Sequence, residues 1–214
     1  MSEPQKYADR VYRSPAAVVA GCLLLGLGGW LGGDAILRGE GREPATAASV
    51  LLFVVPLVVA FTFRPAVFAS DERLRVRNPF RTITAPWGAV EAIRASYSTE
   101  LLAAGAKYQL WAIPVSLRAR SKANRHNEQA AGSQPRRSGL MGGLGLGGGT
   151  FDVGNDPGPK TAPGDAAVAE LRELAERHAA DEAAQGGVGV RWSYEILAPL
   201  AVGAVALIVL LLTR

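Results

Sequence analysis

The sequence predicts a membrane protein with an α+β soluble part. Three spanning helices accompany a sandwich or partly open barrel of short strands, followed by one helix. Three observations carry this. Three windows are apolar and nearly free of charge, as spanning helices require. Arg64–Leu117 alternates apolar and polar residues in short runs separated by turn residues, the pattern of a small β-domain. Asp165–Gln185 gathers its apolar residues on one helical stripe, as an amphipathic helix does.

A polar tail, residues 1–14, carries Lys6, Arg10 and Arg13. Pro15–Leu37 follows, with no charge before Asp34. The apolar core of a signal peptide is only ~7–15 residues. Residues 15–37 therefore read as a first transmembrane helix, with cleavage of a signal peptide the lesser alternative. Gly28, Gly29, Gly32 and Gly33 form two overlapping G-x-x-x-G spacings. Such glycines let a second helix backbone approach closely, and they read equally well as a plain glycine-rich helix. Asp34, beside Arg38 at the helix end, is placed at the interface. Residues 38–46 form a polar loop, external in this reading.

Residues 47–63 are free of charge and give a second helix, at ~26 Å barely long enough for a hydrocarbon core of ~30 Å. Pro56 is expected to kink it. Residues 187–195 form a linker that ends in Arg191, Trp192 and Tyr194, an interfacial anchor. The third helix is 196–213, with Pro199 in its first turn.

The net charge of +4 is unevenly spread. Arg64–Arg137 holds 13 Lys/Arg against five Asp/Glu, whereas Asp152–Glu182 holds eight acids against three bases. The positive-inside bias puts the N-terminus and the central domain in the cytoplasm. Cys22 is the single cysteine and lies in an apolar run. An intrachain disulfide and thiolate zinc sites are excluded, and a thiol in hydrocarbon keeps its proton.

Within the central domain, residues 64–120, six strands are expected. Ala66–Ala69 is brief. Arg73–Arg77 alternates strictly, with Leu74 and Val76 on one face and three arginines on the other. Asn78-Pro79 marks a turn. Thr82–Ala85 is β-prone with Ile83 inward, and Trp87, Val90 and Ile93 suit a bulged strand or a short helical turn before Ala92–Tyr97. Tyr108–Ile113 alternates again, and Val115–Leu117 continues extended.

Residues 121–162 are poor in large apolar side chains and rich in Gly, Ser, Pro, Asn and Arg. They are expected to form a disordered insert. Gly143–Gly148 satisfies G-x-G-x-x-G, but a dinucleotide site needs a strand before it and a helix after it. A flexible basic tract and more glycine stand there instead. Residues 163–186 hold the helix, with Asp165 as N-cap, Val168, Leu171, Leu174 (or Ala175) and His178 on one stripe, and Glu173–Arg177 as an i,i+4 pair.

Strands in series closed by one helix is the chain order of a pleckstrin-homology (PH) domain. The stretch Thr84-Ala-Pro86-Trp87-Gly-Ala-Val90-Glu-Ala-Ile93 resembles bacterial PH-like domains fused to transmembrane hairpins. Leu74–Arg81 before it and Tyr108–Leu117 after it resemble the actinobacterial low molecular weight protein antigen 6 group. The resemblance implies a PH-like bent sandwich capped by its C-terminal helix. That fold has seven strands where six are read here, so a further strand is placed near Glu100–Ala106 or in the insert. The resemblance also implies a phosphoinositide-type headgroup near the first strand loops, but assigns no residues to it.

No catalytic, cofactor or metal site emerges: His126 and His178 lack partners at ligand or triad spacing. Arg73, Arg75, Arg77, Arg81 and Lys107 are the candidate anion- or lipid-facing residues. A solvated strand face is the blander reading of the same charges. The expected function is a non-enzymatic, membrane-anchored PH-like binding or scaffolding module at the inner face. Its partners are the lipid bilayer and an unidentified protein, with self-association open and nucleic acid not expected. The alternatives are an accessory subunit of a membrane transport or secretion complex, assembled through the glycine-rich helix, and an anionic-lipid sensor.

Overall fold

The structure is a computed structural model that describes residues 10–132 and 160–213. Among the described residues eight strands form two antiparallel sheets. β1 (Arg10–Tyr12), β2 (Ala66–Ala69), β3 (Arg73–Arg77), β4 (Arg81–Pro86) and β8 (Gly189–Trp192) lie side by side in that order. β5 (Val90–Ala95), β6 (Thr99–Ala103) and β7 (Ala106–Gln109) form the second sheet. Between β4 and β5 the chain makes one 3-10 turn, Trp87–Ala89, the helical alternative of the two expected there.

Alternation explains the core. In β3, Leu74 and Val76 are fully buried, and their cross-strand partners Ala85 and Ile83 are too. Leu101 and Ala103 of β6 face them from the second sheet, with Trp87 between, and the indole N–H donates to Ser70 O at 2.8 Å. Asn78, in the β3–β4 turn, ties the sheets together: its amide donates to Gln109 O at 2.8 Å. The β6–β7 turn places both central residues in the left-handed region, Ala104 at φ 49° and Gly105 at φ 71°. That conformation matches the twist of a tight hairpin.

α4 (Pro163–His178) lays Val168, Leu171 and Leu174 into the same core, as its stripe predicts, and Arg177 pairs with Glu173. It ends seven residues before Gln185, and a separate 3-10 turn, Glu182–Ala184, takes over. Asp165 lies inside the first turn, where its carboxylate pairs with Arg120.

Two boundaries are corrected. The tail 1–14 contains β1, and the linker 187–195 contains β8. Each is a strand of three or four residues at a sheet edge, too short for an alternation to stand out. Their stability comes from pairing with β2 and β4. β1 is tied down further by Tyr12, whose hydroxyl donates to Glu170 Oε2 at 2.6 Å, and by an ion pair from Arg10 to the same carboxylate. β6 supplies the further strand expected near Glu100–Ala106, whereas the extended reading of Tyr108–Ile113 and Val115–Leu117 is corrected: the strand there is β7, it ends at Gln109, and residues 110–116 form no strand.

Among the described residues three helices are long and apolar enough to cross a membrane. α1 (Pro15–Arg38) starts with Ser14 as N-cap and ends with an Asp34–Arg38 ion pair at 3.1 Å. α2 (Glu43–Val58) begins four residues earlier than the charge-free window, so the α1–α2 loop is shorter than 38–46. With the π-helical turn Val59–Phe63 it reaches 21 residues, or ~31 Å, which removes the shortfall in length. Pro56 lacks an N–H, and the widened turn begins three residues after it. α5 (Tyr194–Leu212) starts early enough to put Pro199 beyond the first turn. At the far end Arg42 of the α1–α2 loop donates to Thr213 O at 2.8 Å, satisfying a terminal carbonyl.

Of Gly28, Gly29, Gly32 and Gly33, only Gly32 meets a neighbour, the side chain of Leu51. The close approaches are at Gly21, beside Thr62 and Phe63, and at Gly203, where a Cβ would stand 2.6 Å from Phe53 N. Periodicity in α1 alone could not choose the face.

Residues 116–166 form a separate compact unit. Its helix α3 (Leu117–Gly132) occupies the start of the tract expected to be disordered. Arg120 bonds Asp165, and the Asn127 side chain pairs with the Lys160 backbone through two hydrogen bonds, 2.9 and 2.7 Å. Ala, Arg, Lys and Gln favour helix even without an apolar stripe. His126 therefore lies on a helix. Gly143–Gly148 lies outside the described residues.

Gly203→Leu should destabilise the protein by about 1–3 kcal/mol through overpacking, whereas Gly29→Leu should stay within about 0.5 kcal/mol. Thermal unfolding in detergent separates the two. A second expectation concerns β1. Burial, then the bond to Glu170, raises the Tyr12 pKa above its ordinary 10.0. The folded state thus holds this proton more tightly, and its contribution is complete below pH 10.0 and declines as pH rises beyond it. Stability should fall more steeply above pH 10.0 in the wild type than in Tyr12→Phe.

Candidate functional site

The outward face of the larger sheet follows from the same alternation that builds the core. Arg75 and Arg77 point away from Leu74 and Val76. Cross-strand register sets Phe68 of β2 and Thr84 of β4 beside Arg75, and Thr82 beside Arg77. Thr82 in turn pairs with Arg191 of β8. The guanidinium groups of Arg75 and Arg77 lie over the Phe68 ring, 4.6 and 5.0 Å from its centroid. Such stacking suits the planar, weakly hydrated arginine head group.

These residues open onto a cleft of ≈ 440 Å³ that reaches the start of α5. Arg64, one residue past the π-helical turn, forms its inner wall and is largely buried. Its Nε donates to Asn78 O at 3.2 Å, Nη1 to Glu195 Oε1 at 2.9 Å, and Nη2 to Thr82 Oγ1 at 3.3 Å and to Ser193 Oγ. Ser193 itself is 1% exposed, so its hydroxyl needs such a partner. Arg64 thereby joins the β3–β4 turn, β4 and the first turn of α5.

Among the described residues, four arginines, Arg64, Arg75, Arg77 and Arg191, share this cleft with the Glu195 carboxylate. Arg77 records the consequence. Burial, then the like charges of Arg75, Arg64 and Arg13, lower its proton affinity below the usual arginine range. At neutral pH it stays charged. The cleft is therefore a concentration of positive charge whose hydrogen-bond donors, guanidinium and threonine hydroxyl, suit an anion.

Of the five candidate residues, Arg75 and Arg77 are in the cleft. Arg73 is at the other end of β3 and pairs with Glu72. Arg81 shares parity with Ile83 and Ala85 and turns to the inner side, 5.7 Å from the Tyr108 ring centroid. Lys107 is exposed on β7 of the other sheet. The cleft also uses Arg64, Arg191 and Glu195, which the sequence reading did not assign to it. Their signal was position, since each lies within a few residues of an apolar window.

Elsewhere, His178 Nδ1 lies 2.7 Å from Asp181 Oδ2. Among the described residues no group of three or more His, Cys, Asp or Glu side chains could hold a metal. A second opening, ≈ 410 Å³, runs between β5 and α4, where Arg172 Nε donates to Ile93 O at 2.6 Å.

Arg64→Ala should lower stability by about 2 kcal/mol. Most of that should come from the buried bonds to Ser193, Thr82 and Asn78 O. Glu195 is 63% exposed, so its ion pair adds little. Arg64→Lys should recover only part of the loss, because an ammonium cannot fork between these acceptors. Unfolding midpoints of the two variants measure this.

Residues 64–137, less than half of the chain, match the model of the family described as Bacterial PH domain. No curated protein and no solved structure matches the chain. The match takes in β2 to β7 and leaves β1, β8 and the three apolar helices outside it. The chain thus carries a bacterial PH-like domain, set among three helices that suit a membrane.

Proposed function

We propose that the protein is a membrane-anchored binding module. Its two sheets close as a PH-like sandwich capped by α4, held at the inner membrane face, and its arginine cleft engages an anionic partner there. The observation that carries this reading is the tight joining of sheet to helices. Two residues separate β1 from α1, two separate the π-helical turn from β2, and one separates β8 from α5. With Arg64 bonded across the junction, the sheet cannot tumble independently of the bilayer. Its outer face is presented at a fixed height above the membrane.

The role is binding and not catalysis. Glu195 is engaged by Arg64, and the remaining polar groups of the cleft are guanidinium and hydroxyl. Those groups hold an anion well but are poor proton carriers at neutral pH. The inner-face orientation rests on the positive-inside bias, because the basic strands and the N-terminal tail share one end of the bundle. A second reading, an accessory subunit of a larger membrane complex, is favoured by one observation. Gly28, Gly29 and Gly33 meet nothing within 4 Å, which leaves a close-approach face on α1 for another helix.

Orientation is testable by cysteine labelling in a Cys22→Ser background. Tyr97, 94% exposed, lies in the β5–β6 turn, and Glu40 is exposed in the α1–α2 loop. With a membrane-impermeant maleimide, Glu40→Cys should label in intact cells and Tyr97→Cys only after lysis. The reverse pattern would place the domain outside and defeat this reading.

A further inference from the structure

We propose that the opening between β5 and α4 takes an extended segment of a partner protein, added as a further strand along the edge of β5. The walls set the chemistry of that segment: an apolar residue at every second position, with one acidic and one basic residue between. The site is separate from the arginine cleft, and the inference does not rest on what that cleft binds.

The edge is the first argument. β5 pairs with β6 on one side, and among the described residues no strand lies on its other side. The opening of ≈ 410 Å³ follows β5 from Val90 to Arg94, ~16 Å of strand. An edge strand offers its backbone groups to an extended chain that comes alongside. One such group is already in use. Ile93 O accepts from Arg172 Nε at 2.6 Å, so this carbonyl is reached from α4 across the opening. Arg172 is exposed and stands where an incoming backbone N–H would donate. It works as a latch on the edge, satisfying the carbonyl until a strand replaces it.

Shape is the second. The helix wall is one face of α4, with Arg172, Ala175 and Glu176, and it continues to Ala179 just past the helix end. Alanine at 175 and 179 leaves space that a longer side chain would fill. Neighbouring strands lie ~4.8 Å apart, and this space lies beside β5, where an added strand would run. Val90 and Ala92 make the strand wall apolar, which suits small or β-branched side chains at alternate positions. The pairing of β5 with β6 shifts register between Val90 and Ala92, and such irregularities often stand at the rim of a binding site.

Charge is the third. Each wall carries one acid and one base, Glu91 and Arg94 on β5, Arg172 and Glu176 on α4. Two of the four are engaged. Glu91 Oε1 accepts from Gly105 N at 2.6 Å, and Arg172 holds Ile93 O. Arg94 and Glu176 are exposed and form no ion pair among the described residues. They are left to meet an acid and a base of the incoming segment. A segment of one sign only would bring a like charge against one wall.

The test uses the full chain in detergent and a displayed library of random peptides, with the selected peptide resynthesised carrying a fluorophore and titrated by anisotropy. The selected sequences should alternate apolar residues and carry one acid and one base. Methylating single backbone nitrogens of the peptide should weaken binding at every second position and leave it unchanged between, the period of a paired strand. Ala179→Trp should cut affinity about tenfold or more by filling the space. Arg94→Glu combined with Glu176→Arg should lose the selected peptide and bind one in which acid and base are exchanged. Lys107→Gln, on β7, should change nothing. Arg172→Ala should bind as well as the wild type or better, because the edge is then unlatched. Weaker binding in that variant would make the guanidinium the binding element and overturn the proposal. Methylation effects without a period of two overturn it as well, as does a library that yields no peptide sensitive to Ala179→Trp. Self-association of the chain that Ala179→Trp abolishes would make a second copy the occupant and also overturn it. Should Ala179→Trp fail to fold, as judged by its unfolding midpoint, the charge exchange at Arg94 and Glu176 decides. None of these outcomes bears on the labelling experiment, which tests the membrane-facing reading by itself.

Discussion

Arg64 is the contact on which the arrangement of this molecule depends. A guanidinium that emerges from a spanning helix must be satisfied where water is scarce, and here its hydrogens reach Asn78 O, Thr82, Ser193 and Glu195. Those acceptors come from two strands' ends and the start of the last helix. One side chain therefore fixes the second span, the larger sheet and the third span relative to one another. Phe61 reinforces the junction with apolar contacts, its ring packing edge-on against Phe80 and Trp111 at 5.5 and 5.4 Å.

The order of elements has a consequence for folding. The α1–α2 hairpin is inserted between β1 and β2, and β8 comes only after α4. The five-stranded sheet is thus completed by a strand made before the first span and a strand made after every other soluble element. A fragment limited to the central region would lack both, leaving the hydrogen-bonding edges of β2 and β4 open. The tie between Tyr12 and Glu170 joins the first strand to α4 across 158 residues of sequence. Such pairing has high loop-closure entropy and forms late unless the hairpin brings its ends together first. Insertion of the hairpin does so, because α1 and α2 return the chain to the same face of the bilayer.

What could be read from the sequence was what local pattern decides. The three apolar windows became three helices long and apolar enough to span a membrane, the alternation of Arg73–Arg77 set the core and outer faces of β3, and the stripe Val168–Leu171–Leu174 packed as expected. What could not be read depends on partners distant in sequence. β1 and β8 are three and four residues long and take their structure from β2 and β4. Arg64 and Arg191 face the same cleft only because β3, β4 and β8 are in register. The glycine faces of α1 look alike in sequence, and tertiary packing chose Gly21 and Gly32 over Gly28, Gly29 and Gly33. The start of the insert was misjudged for a different reason. Low hydrophobicity argues against a core but not against a helix tied by polar bonds such as Arg120–Asp165 and Asn127–Lys160.

Register parity also explains why one residue type does three kinds of work in this sheet. Arg75 and Arg77 have outward parity and stack on Phe68, which holds their head groups in place. Arg81 differs from Arg77 by four residues in sequence, but the turn at Asn78-Pro79 reverses the count, so its side chain joins the inner side beside Tyr108. Arg64 stands outside the strands altogether and has spent its donors on the protein. Charge counting along the chain cannot distinguish these cases, because the Coulomb field of each is the same at a distance. The distinction lies in desolvation and in the hydrogen bonds already made. Arg64 donates four hydrogen bonds to neighbouring elements, whereas Arg75 and Arg77 bring their charge to the cleft from a position stacked on Phe68. That division lets a single structural arginine join the sheet to two apolar helices while adding positive charge to the cleft it walls.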